Sequence, residues 1–137
     1  MENCIFCKII DGVIPSTVIY EDETSKVILD IAPAAKGHAI LVLKEHVENV
    51  FELDSALAGK VFSVVPKVAA AIKETLGCDG LNILQNNGVS AGQTVFHFHI
   101  HFIPRWDNDT VRSQWETGGY ADGEAAALAE QIVKNMK

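Results

Sequence analysis

The sequence predicts an α+β domain: a five-stranded antiparallel sheet with one short helix, one long helix and a C-terminal helix. Three observations lead there. The order of elements is a short helix, strands, a long helix, more strands and a terminal helix. The connections between successive strands are too short for most parallel crossovers. No repeat, low-complexity tract or linker divides the 137 residues, so residues 1–137 read as a single domain.

Residues 4–11 (CIFCKIID) carry apolar positions at helical spacing and stop before Gly12, a suitable C′ glycine. Ile14-Pro15-Ser16 breaks the chain. Residues 17–20 are short and β-branched, a strand, followed by a charged turn over 21–25. Residues 27–30 and 39–43 (AILVL) give two more strands, separated by the loop 32–37. Asp54 is a good N-cap for a long helix to Leu76, closed by Gly77. Leu57, Val61, Val64, Val65, Val68 and Ile72 form its buried stripe. The stripe continues past Pro66, which favours one kinked helix over two. Residues 81–84 are a fourth strand, 86–92 (NNGVSAG) a turn-rich loop, and 95–103 a fifth strand closed by Pro104. Residues 107–119 are polar and irregular, and Asp122 is placed to cap a final helix over 124–135.

A chain of this length buries roughly two thirds of its unfolded surface, enough for a core without staples. Its hydrophobic fraction is 48% and its net charge is −7, with no Lys/Arg run. That argues against a nucleic-acid partner, although backbone N–H groups can still bind a small anion. The start Met1-Glu2-Asn3-Cys4 lacks the basic and apolar regions of a secretory signal. The apolar stretches read as too interrupted to span a membrane. Three cysteines, an odd number, argue against a disulfide framework, and the expected location is a reducing cytoplasm.

Three of the five histidines alternate within five residues: His97, His99 and His101. On a strand such residues share one face, and Phe96, Phe98, Ile100 and Phe102 share the other, facing the long helix. A row of imidazoles suits nucleophilic or acid–base catalysis, where a neutral ring attacks and a neighbour tunes it. A metal site using all three is a second reading, weakened because the nearest downstream carboxylate is Asp107. A solvated histidine patch is the third.

The stretch His97-Phe98-His99-Ile100-His101-Phe102-Ile103 fits His-φ-His-φ-His-φ-φ, with φ apolar, and resembles the signature of the histidine-triad superfamily. The likeness extends to Gln93-Thr94-Val95, Pro104-Arg105, Cys4 to Ile10, Asp30-Ile31-Ala32-Pro33 and Lys36-Gly37-His38. It covers about residues 4–105 and is nearest the bacterial branch of the nucleotide-binding proteins of that superfamily; residues 106–137 are a C-terminal extension.

The resemblance implies hydrolysis at the α-phosphorus of purine nucleoside phosphoramidates or acyl-adenylates, with release of an AMP- or GMP-like monophosphate. His99 is then the nucleophile, with its other ring nitrogen donating to the His97 carbonyl. His101 donates to a phosphate oxygen, and His38 orients the triad. Asn86, Gln93, Thr94 and Gly92 belong to the phosphate-binding loop, and Asp30 takes the ribose hydroxyls. Ile5, Phe6, Ile9, Ile28 and Ile31 wall the base, or are plain core. No cofactor is required for the chemistry. The family also implies a HIT-like fold whose sheets join across a homodimer, and an isologous interface is expected through the long helix and the fourth strand.

Cys4-x-x-Cys7 lacks the βαβ setting of a redox pair, and its spacing suits half of a structural zinc site. The family resemblance supplies the other half, His46 and His97, which would take His97 out of the acid–base chemistry. The Trp-Pro-Pro-Gly end of eukaryotic members is absent, and Gln114-Trp115-Glu116-Thr117 stands there instead. A dinucleoside polyphosphate hydrolase and a nucleotide-binding module with slow hydrolysis remain as alternatives.

Overall fold

A computed structural model of the chain describes residues 3–112 and 114–137; the Met1-Glu2 start lies outside the described residues. Among the described residues five strands form one sheet: β1 (Val18–Glu21), β2 (Ser25–Leu29), β3 (Ala39–Leu43), β4 (Gly80–Leu84) and β5 (His99–Arg105). The order is β1-β2-β3-β5-β4, and every neighbouring pair is antiparallel. Among the described residues three α-helices accompany it: α1 (Ile5–Ile10), α2 (Ser55–Leu76) and α3 (Glu124–Asn135).

The sheet is covered on both faces. On one, α2 buries Val61, Val64, Val68 and Ile72 against Val27, Leu41, Leu43, Phe98, Ile100 and Phe102. On the other, α1 lays Phe6 and Ile9 on Ile28, Ile40 and Val42. The alternation of β3 therefore serves two cores, and all five of its residues are buried. Cross-strand pairing puts His99 opposite Val42 and His101 opposite Ile40, so both imidazoles lie on the α1 face.

α2 starts as its sequence dictates. Asp54 accepts from the Ala56 and Leu57 N–H groups at 3.0 and 3.2 Å, and Gly77 closes the helix at φ +62°. One helix runs through Pro66, whose ring is exposed. Contrary to the expectation from sequence, α2 is long and apolar enough to cross a bilayer by length and composition alone; here its apolar stripe is used against the sheet.

Four expectations need correction. The 21–25 turn is tighter than its composition suggested, because Asp22 Oδ1 accepts from both the Thr24 and Ser25 N–H groups at 2.8 Å, and Ser25 is already a buried strand residue. β5 begins at His99 rather than at residue 95, since Val95–His97 is a bend, and Phe96 is exposed instead of facing α2. Pro104 does not end β5. β3 leaves the ladder at Ala39 opposite Phe102, so Pro104 has an open side and pairs only with Leu81 of β4. Finally, α3 is capped by Gly123 at φ +76°, and Asp122 makes no cap.

Candidate functional site

Two adjoining clusters of polar side chains sit on the α1 face of the sheet. The first is a chain of imidazoles whose protons the surrounding backbone fixes. The Ala34 N–H donates to His38 Nδ1 at 3.0 Å, so the proton of neutral His38 resides on Nε2. That Nε2–H donates to His101 Nδ1 at 2.9 Å, which leaves the His101 proton on Nε2. His99 Nδ1–H donates to the His97 carbonyl at 2.6 Å, so His99 Nε2 carries a free lone pair. Asp30 Oδ2 stands 3.6 Å from His38 Nε2, beyond hydrogen-bond reach, while Asp30 Oδ1 accepts from the Ala32 N–H at 2.8 Å.

Burial keeps these rings neutral. Desolvation lowers the pKa of His38 and of His99, with Asp30 opposing both and the bond to the His97 carbonyl also opposing the shift of His99. His101 is pushed down to about 4, first by desolvation, then by His99 and His38. A neutral His99 with Nδ1–H held and Nε2 bare is the protonation state a nucleophile needs.

The second cluster joins Cys4 and Cys7 of α1 to His46 and His97. Cys4 Sγ lies 3.4 Å and Cys7 Sγ 3.6 Å from His97 Nδ1; Cys7 Sγ is 3.3 Å and His97 Nδ1 3.0 Å from His46 Nδ1. All four ligand atoms fall within 4.8 Å of one another. Tetrahedral bonds of ~2.0–2.1 Å to nitrogen and ~2.3 Å to sulfur put donor atoms about 3.3–3.8 Å apart, so the set fits such an ion with little adjustment. His97 Nε2–H donates to the Leu43 carbonyl at 2.6 Å and turns the Nδ1 lone pair toward the thiols. Burial, then Cys4, push the Cys7 thiol up to about 11, opposite to an activated redox thiol.

The three alternating histidines thus do not converge on one ion. His97 faces the thiols, whereas His99 and His101 line a cleft of about 250 Å³. The sequence-predicted Ile5, Phe6, Ile9, Ile28, Ile31, Asp30 and Thr94 line it too. Phe6 meets His99 edge-on, with ring centroids 4.9 Å apart. Asn86, Gly92 and Gln93 do not line this cleft. Gln93 is buried, with Oε1 accepting from the Gly88 N–H at 2.8 Å and Nε2 donating to the Glu48 carbonyl at 2.7 Å, so it shapes the loop. Asn86 Nδ2 packs over Gly92, 3.3 Å from where a Cβ would stand, and Gly92 sits at φ +95°. Sequence reading missed Ile14, Pro15, Ser16, Leu29, Ile40 and Val95 as lining residues. Of these Ile40 was legible, as the cross-strand partner of Ile28.

The geometry agrees with what the chain is similar to. The HIT domain family model matches residues 11–108. "Protein hit" of Bacillus subtilis is 50% identical, over 98% of this chain and 95% of its own length. Adenylylsulfatase HINT3 of Arabidopsis thaliana is 41% identical, over 98% of this chain and 70% of its own. Adenosine 5′-monophosphoramidase hnt1 of Schizosaccharomyces pombe is 38% identical, over 98% and 99%. A crystal structure of a HIT family protein from Bacillus anthracis superposes with a TM-score of 0.94 at 45% identity, covering 99% of each chain. On this combination of family match, near full-length identity and shared fold, the chain belongs to the histidine-triad (HIT) superfamily, in its Hint-like bacterial branch.

Proposed function

We propose that this protein is a nucleotide hydrolase that cleaves at the α-phosphorus of purine nucleoside phosphoramidates or acyl-adenylates through a nucleotidyl-His99 intermediate. The observation that carries the reading is the orientation of His99: Nδ1–H is tied to the His97 carbonyl at 2.6 Å, and Nε2 is left bare beside the cleft. Two relatives named for hydrolysis of adenosine 5′-monophosphoramidate and of adenylyl sulfate support the substrate class.

In this reading the base packs among Ile5, Phe6, Ile9 and Ile28, and Asp30 accepts from the ribose hydroxyls. His99 Nε2 attacks phosphorus as the bond to the leaving group breaks, and that group departs with the electron pair and takes a proton from water. His101, its Nδ1 occupied by His38, donates Nε2–H to a non-bridging oxygen as charge develops. Thr94 donates from the cleft rim, with Asn86 and the Gly92 backbone behind it. Water then releases the nucleoside monophosphate and restores His99.

The same reading gives Cys4, Cys7, His46 and His97 a structural zinc ion, which supplies folding energy rather than reaction chemistry. It also includes a homodimer and a cytoplasmic location, which suits free thiols.

Steady-state turnover of adenosine 5′-monophosphoramidate and of a diadenosine polyphosphate tests the assignment. The expected result is turnover of the phosphoramidate, falling at least ~10³-fold in His99→Ala. Activity retained in that variant would remove His99 as nucleophile. A preference for the diadenosine substrate would favour a dinucleoside polyphosphate hydrolase. Nucleotide binding without turnover would favour a regulatory module.

A further inference from the structure

We infer that metal and nucleotide bind cooperatively, because α1 carries both the thiols of the metal cluster and a wall of the base cleft; the inference rests on the zinc and nucleotide sites proposed above. Cys4 caps α1 and Cys7 lies within it, both turned toward His46 and His97. Ile5, Phe6 and Ile9 of the same six-residue helix line the cleft. A helix this short has no stability of its own.

Its two ends are held differently. At the C-terminal end, the Lys26 ammonium, itself buried, donates to the Ile9 carbonyl at 3.0 Å. The N-terminal end has no side-chain cap hydrogen bond. There the two thiols face His97 and His46, and the Phe6 ring packs on Ile28, Ile40 and Val42 and meets His97 edge-on at 5.9 Å and His99 at 4.9 Å. Ligation by Cys4 and Cys7 would fix that end, and with it Ile5 and Phe6. Ligation by His97 would fix the residue whose carbonyl orients His99. Cys4 and Cys7 are therefore positioning residues for the nucleotide. By linkage, nucleotide must tighten metal binding by the factor by which metal tightens nucleotide binding.

The test measures AMP affinity on zinc-loaded and on chelator-stripped protein, with circular dichroism on both. Zinc release to a chromophoric chelator is then followed with and without saturating AMP. The expected outcome is a stripped protein that keeps its fold and binds AMP about tenfold more weakly, with AMP raising zinc affinity by the same factor. Equal AMP affinity in the two folded forms would overturn the coupling and leave the zinc reading standing. Global unfolding on stripping would also overturn it, by making the metal a support of the whole fold rather than of α1. Protein that takes up no zinc would remove the metal site itself, and the coupling with it.

Discussion

At the scale of single residues, the site is built by deciding where protons go. Four histidines, at positions 38, 97, 99 and 101, are held below their ordinary pKa, each chiefly by desolvation. This has a consequence for stability. A group with pKa 6.5 when unfolded and a lower value when folded takes up protons on unfolding between those two values. Its contribution is complete above pH 6.5 and is lost as pH falls toward the folded pKa, about 4 for His101. The unfolding temperature should therefore drop as pH is lowered from 7 to 4.5. The share from His101 is on the order of 2 kcal/mol, after allowing for solvent screening at a partly exposed ring. Thermal scans across this range on the wild type and on His101→Asn provide the measurement. The variant should lose less stability on acidification, and parallel curves would show that the His101 ring is already charged or already solvated in the fold.

At the scale of elements, the long helix was the most legible and the histidine strand the least. α2 announces itself by a cap, a stripe and a terminal glycine, and each is used as read: Asp54 binds two N–H groups and Val61, Val64, Val68 and Ile72 are buried. Asp54→Ala should cost about 1 kcal/mol in chemical denaturation with an unchanged slope, and Asp54→Ser should recover most of it. A loss no larger than a few tenths of a kcal/mol would mean that packing alone sets the start of the helix. The strand of histidines was misjudged at both ends. Alternation in sequence extends upstream to residue 95, but no pattern of side chains reports the bend at 95–97 that detaches His97 from the row. Downstream, a proline was read as a terminator, because its open side depends on where β3 stops, a long-range fact. For the same reason, the separation of His97 from His99 and His101 rested on family likeness and not on spacing. Gln93 shows the limit from another side: its place in the motif is visible, but its hydrogen bonds to Gly88 and Glu48 are not.

At the scale of the whole molecule, large apolar side chains lie exposed on several elements. β4 is an edge of the sheet, and its Ile83 and Leu84 are each 42% exposed. Val50, Phe51, Phe62 and Phe96 are exposed as well, and α3 buries none of its residues, leaving Leu128, Ile132 and Val133 in the open. An unprotected edge strand with apolar side chains invites pairing with another chain. A two-fold axis beside β4 would let each copy cover the other with the same surface, joining two five-stranded sheets into one of ten. The sequence-based expectation of a homodimer through the long helix and the fourth strand requires such an interface to take in exposed α2 residues such as Phe62 as well. The net charge of −7 per chain opposes association, but at physiological salt charges more than about 8 Å apart are largely screened, which weakens that opposition. Sedimentation at micromolar concentration should give a mass twice the 14.9 kDa of the chain. Leu84→Lys should shift the equilibrium toward single chains, because a charge directly on the edge must be desolvated twice in a symmetric contact. A wild-type protein sedimenting as a monomer would reject the dimer. A dimer untouched by Leu84→Lys would move the interface to another apolar surface, with α3 the first to examine.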